Sequence, residues 1–155
     1  MNMRRAFSLV EVTVVVLILA ILAALVVPRF ASATDDARSA ALESSVEGVR
    51  ASIAAFRTER VLSGADPFPT LAELTAAGTV LQAGIPENPY SGLASVQAVS
   101  ESQADARTVA SSGSFGWNYF VDNSSNPPRA VFYANSSEPT KVSDGAGGTR
   151  NANEV

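Results

Sequence analysis

Apolar and polar positions divide the chain into three regimes. Residues 12–28 carry no charge, and extending the run back to Phe7 gives 22 residues with Glu11 as the single charge. A helix of that length spans about 33 Å, against a bilayer hydrocarbon core of about 30 Å. Val14, Val15, Val16, Leu17, Ile18, Leu19, Ile21 and Leu22 make it apolar on all sides, so it suits lipid and other helices equally. Pro28 removes one backbone donor, crowds the carbonyl of Ala24 and disfavours helical backbone at Val27. A kink or a locally melted turn is expected over residues 24–28, unless the proline marks the end of one helix and the start of another.

Beyond Pro28 the pattern becomes amphipathic. Leu42, Val46, Val49, Ile53 and Phe56 recur at alternating spacings of four and three, which is a helical stripe. Glu43, Glu47, Arg50 and Arg57 lie off it, and Glu47 and Arg50 can pair on the exposed face. The helix is expected to run over residues 7–62 and to stop before Gly64.

In the third regime the elements are short. Ser63-Gly64-Ala65-Asp66-Pro67 is a break. Thr70 and Glu73 form a capping box for a short helix with Leu71, Leu74 and Ala77 on its apolar face and Gly78 at its end. Residues 84–92 read as an ordered loop. Strands are expected over residues 95–99, 108–110, 114–121 and 129–134, the last two as an antiparallel hairpin across the Asn-, Ser- and Pro-rich residues 122–128. Trp117 and Tyr119 are assigned to the sheet core. The predicted class is α+β: a long N-terminal helix, membrane-spanning first and amphipathic second, packed on a small antiparallel sheet. The expected divisions are 1–6, 7–28 for the apolar helix, 29–62 for its amphipathic half, 63–135 for an α/β head, and 136–155 for a polar, glycine-rich tail that frays or wraps loosely.

Composition narrows the chemistry. The chain has neither cysteine nor histidine, so disulfides, thiolate metal sites, cysteine nucleophiles and imidazole bases are excluded. The net charge of -4 and scattered arginines do not suggest nucleic-acid binding. No phosphate loop, nucleophile elbow or paired acid–base motif occurs, so no enzymatic activity and no catalytic residue is expected. Asn123-Ser124-Ser125 and Asn135-Ser136-Ser137 match the N-glycosylation pattern, which is common by chance.

The N-terminus admits three readings. Arg4 and Arg5 before the apolar run predict an N-in, C-out orientation. A secretory signal would use residues 1–5 as its basic region, residues 12–27 as its apolar region and Ala31-Ser32-Ala33 as its cleavage site, releasing a binding domain. The apolar run exceeds the usual length for such a signal, and Glu11 has no use there. A plain anchor would place Glu11 near the headgroups, where it can snorkel. Third, Arg4-Arg5-Ala6-Phe7-Ser8-Leu9-Val10-Glu11-Val12 resembles the start of a type IV pilin or type II secretion pseudopilin.

That resemblance covers about residues 4–30 and implies cleavage between Ala6 and Phe7 by a prepilin peptidase, with N-methylation of Phe7. Ala6 stands where the family usually has glycine. The resemblance makes Glu11 the assembly residue, paired with the α-amine of Phe7 on a neighbouring copy, and places Pro28 where many members have a helix-kinking proline. A carboxylate deep in a bilayer costs about 2.5–3.5 kcal/mol on insertion scales, which such a pairing would offset. It further implies an inner-membrane, single-pass bacterial precursor that passes through an inner-membrane assembly platform into a homo-oligomeric periplasmic or extracellular filament. Lack of a cysteine pair favours the pseudopilus over the pilus, and Asn88-Pro89-Tyr90 resembles a motif of the major pseudopilin. That protein also suggests calcium at an acidic C-terminal loop. Asp144 and Glu154 are the candidates here, but their spacing fits no known calcium loop, and no other cofactor is expected.

Overall fold

The computed structural model describes residues 7–111 and 113–155. They fall into two compact units that divide after Asp35. The first is the N-terminal part of helix α1 (Leu9–Ser63), and its residues are exposed wherever burial is described. α1 continues as helix through position 28, so the melted turn expected over residues 24–28 is not formed. One missing N–H removes a single rung from a long ladder, which the turns on either side sustain.

The second unit begins with the amphipathic part of α1. Leu42, Val46, Val49 and Ile53 are buried as the spacing required, and Phe56 is half-buried. Each such aliphatic side chain contributes about 1.5–3 kcal/mol by leaving water. They face a sheet of three strands, β1 (Val96–Ala98), β2 (Trp117–Asp122) and β3 (Arg129–Ala134). The register places Val96, Trp117 and Ala134 in one row and Ala98, Tyr119 and Phe132 in the next. Trp117 stacks on Phe132 with centroids 5.1 Å apart. The indole N–H donates to Pro86 O (2.8 Å), and the Tyr119 hydroxyl donates to Pro69 O (2.7 Å). Both buried aromatics are thus satisfied at their polar tips.

The β2–β3 hairpin is as expected, but β1 pairs with β2 in parallel, so the sheet is mixed and not purely antiparallel. A second short helix, α3 (Glu101–Asp105), lies between β1 and β2 in sequence and makes that crossover; α2 (Leu71–Thr75) precedes β1. Thr70 and Glu73 form the expected capping box on α2, while Ser100 and Gln103 form another on α3. Residues 108–110 are not a strand. They lie against the opposite sheet face, where Asn118, Tyr133 and Asn135 are buried. There the Tyr133 hydroxyl donates to Gln103 O and Thr108 O, Asn118 Nδ2 to Asn135 Oδ1 (3.1 Å), and Gln97 Nε2 to Asn118 Oδ1 (2.7 Å).

Residues 136–155 depart most from expectation. They form a hairpin of β4 (Pro139–Ser143) and β5 (Thr149–Asn151) and a 3-10 turn, Ala152–Glu154. Ala152 and Val155 enter the core, and Thr140 is buried. The segment carries few large apolar residues, and polar bonds hold it instead. Lys141 N donates to Ser39 Oγ (2.9 Å), Ala152 N to Glu138 O (2.9 Å), and Thr140 Oγ1 to Arg150 O (2.7 Å). Arg50 donates to Phe132 O (3.1 Å) and Val155 O (2.8 Å) as well as to Glu47 (3.1 Å). Its predicted pairing with Glu47 is present, but Arg50 also clamps the C-terminal segment to the sheet.

Candidate assembly motif

Ser8 precedes the first residue of α1, and its hydroxyl accepts the Glu11 N–H (3.2 Å) while its carbonyl accepts the Val12 N–H (3.3 Å). Ser8 is therefore the helix cap, and Glu11 is the third residue of the first turn. The partial positive charge at a helix N-terminus favours a carboxylate there. The S-x-x-E spacing of Ser8 and Glu11 is that of a capping box, a signal present in the sequence itself.

Phe7, Glu11, Val12, Val15 and Val16 line one shallow apolar groove along the helix surface. Phe7 is 79% exposed and Glu11 is exposed. The structure thus places Phe7 and Glu11 on the same groove. Ala6, the residue on the other side of the expected cut, lies outside the described residues, as do Arg4 and Arg5.

Three hydroxyls of this unit are satisfied by the helix itself. Thr13 Oγ1 donates to Val10 O (2.9 Å), Ser32 Oγ to Arg29 O (3.0 Å), and Thr34 Oγ1 to Phe30 O (3.0 Å). Among the described residues the Glu11 carboxylate has no hydrogen-bond or ion-pair partner. α1 contains one stretch long and apolar enough to cross a membrane, and none of that stretch is buried within the chain.

The other candidates are tied up locally. Asp144 Oδ1 accepts the N–H groups of Ala146 (2.7 Å) and Gly148 (2.9 Å), bonds that hold its carboxyl below the usual range. Glu154 Oε2 accepts the Asn151 N–H (2.8 Å). Among the described residues no three Asp or Glu side chains gather as a metal site. Asn135 is buried with its amide donating to Phe115 O (2.9 Å), and Asn123 Nδ2 donates to Phe68 O (2.9 Å), so neither glycosylation-type asparagine presents a free amide in the fold. Asn88 is fully buried, donates to Gly116 O (2.7 Å) and accepts Tyr90 N–H (2.9 Å). The Tyr90 hydroxyl meets Ser39 Oγ at 3.1 Å. The Asn88-Pro89-Tyr90 triplet is thus a loop-building device in this chain.

Residues 1–27 match the family model of the prokaryotic N-terminal methylation motif. No curated protein and no solved structure gives a significant match to the chain. The matched segment contains Ala6, Phe7, Ser8 and Glu11 and ends one residue before Pro28. Its first 27 residues thus carry the N-terminal methylation signature found in type IV pilins and pseudopilins.

Proposed function

We propose that this chain is the structural subunit of a helical pilin-like filament. It is made as a single-pass inner-membrane precursor with its N-terminus in the cytoplasm. A prepilin peptidase cuts it between Ala6 and Phe7 and methylates the new Phe7 amine, and an inner-membrane assembly platform then stacks the copies. One observation carries this reading: an exposed stretch of helix, apolar on all sides, bears one acid, Glu11, that has no partner among the described residues, lies four residues from Phe7 and falls within the matched motif. A carboxylate in apolar surroundings needs a cation, and the chain's own Phe7 amine, presented by an adjacent copy, supplies one. Methylation leaves that amine positive.

Pro28 is the proposed point of bending when the helices bundle, because one rung of the backbone ladder is already missing there. The role is structural and not catalytic. The absence of cysteine favours a type II secretion pseudopilus over a pilus. The mass of the mature chain tests the processing: a start at N-methylated Phe7 is expected. A start at Thr34 would instead indicate an ordinary export signal, and an intact Met1 a plain anchor.

A further inference from the structure

Arg107 combines three unusual features. It stands directly after α3 and its cap Ala106 with φ of 50°, a left-handed position at a helix end where glycine is usual. Its guanidinium lies 5.2 Å over the Tyr133 ring, and its Nη1 is buried with no hydrogen-bond partner among the described residues. It also borders a cleft of about 230 Å³ that Arg50 and Arg57 line as well. Arg57 sits 5.0 Å over the Phe68 ring. Among the described residues, Arg57 and Arg107 have no carboxylate partner, although the chain as a whole is acidic. Burial, then the nearby charge of Arg50, disfavours the charged form of Arg107. Three cations on one cleft, of which only Arg50 is paired with a carboxylate and Arg107 stands on a strained backbone, are costly as an isolated arrangement. Ile53, Phe68 and Phe132 supply the cleft with apolar walls.

We propose that Arg57 and Arg107, backed by Arg50, form a binding site for an organic carboxylate whose apolar part rests on Ile53, Phe68 and Phe132. Guanidinium groups suit carboxylates through charge-assisted, paired hydrogen bonds. The cleft is smaller than a typical drug-sized pocket, so it takes a small acid or one inserted side chain. The carboxylate comes either from a free organic acid or from an Asp or Glu of a second copy. Only the second source rests on the filament reading.

The test uses the full chain dispersed in detergent micelles, with ¹⁵N-labelled arginine, titrated with sodium benzoate against sodium chloride at matched ionic strength. The Nε–H signals of Arg57 and Arg107 should move saturably with benzoate, while those of Arg29 and Arg38 stay still. Arg57→Gln and Arg107→Gly should each weaken binding by about tenfold or more, the scale of a lost charge-assisted hydrogen bond. Arg107→Gly also relieves the positive φ, so its thermal midpoint should hold or rise, and the loss of binding cannot then be loss of fold. Absence of a saturable shift in the parent chain, or unchanged affinity in both variants, overturns the site. Where the dispersed chain responds, the same titration on assembled filaments identifies the source: a cleft closed to benzoate means a neighbour's acid fills it, and an open one means a free acid does.

Discussion

The carbonyl oxygen of Leu93 occupies the space where a side chain at Gly116 would begin: a Cβ there would lie 1.9 Å from Leu93 O. This contact lets the loop of residues 84–93 close on the start of β2, with Asn88 bridging to the Gly116 carbonyl. Gly116→Ala must displace backbone and not merely a side-chain tip. We expect a loss of about 2–3 kcal/mol, read as a lowered thermal midpoint of the full chain.

Asn88→Ala should cost about 2–3 kcal/mol, because Gly116 O and Tyr90 N–H would both lose a buried partner. Since Tyr90 reaches Ser39 on α1, proteolysis of the loop should also become faster in this variant. Unchanged loop cleavage would show that Asn88 does not organise it.

Arg50→Met keeps much of the stem but removes the bonds to Phe132 O and Val155 O. A loss of about 1–2 kcal/mol is expected, with amide exchange accelerating first in residues 139–155. Glu47→Gln should have a much smaller effect, since that pair is exposed.

Much of this architecture can be read from local pattern. The stripe from Leu42 to Ile53, the Thr70–Glu73 box and the β2–β3 hairpin each state their structure within a few residues. The parallel pairing of β1 with β2 does not, because a three-residue strand carries no sign of a partner some twenty positions away. The C-terminal hairpin was missed for a related reason. Its anchors are Ser39, Arg50 and small buried residues, and its own composition resembles a disordered tail. The Ser100–Gln103 box of α3 is a local signal of the same kind. At the candidate assembly motif, Phe7 and Glu11 are singled out by the resemblance, whereas the Ser8 cap stands in the sequence as an S-x-x-E spacing that the helix start confirms.

Acid should weaken the fold in a definable way. Hydrogen bonds from Thr70, then the Arg60 charge, hold the Glu73 carboxyl below its ordinary 4.5, and Ser124 does the same for Asp122. A depressed folded-state value contributes stability above the unfolded value, and that stability is lost as pH falls through the folded one. The thermal midpoint should therefore be flat near neutrality and decline below about pH 4.5. Glu73→Gln should start lower and decline less. At the alkaline limit, burial raises the Tyr119 hydroxyl above its usual 10.0, so stability should fall as pH rises past that value, when only the unfolded chain ionises freely.

Glu11→Ala should leave membrane insertion intact, since it removes the only charge from the apolar run, while filament yield falls at least tenfold. Fractionation of cells and sheared filaments separates the two effects. A normal yield would remove Glu11 from assembly.

The pairing itself is best tested by imaging purified filaments at a resolution that shows the Glu11 carboxylate. The account predicts that carboxylate within about 4 Å of the methylated Phe7 nitrogen of an adjacent copy, inside an apolar bundle. A Glu11 side chain bathed in water, or touching no positive group, would contradict it.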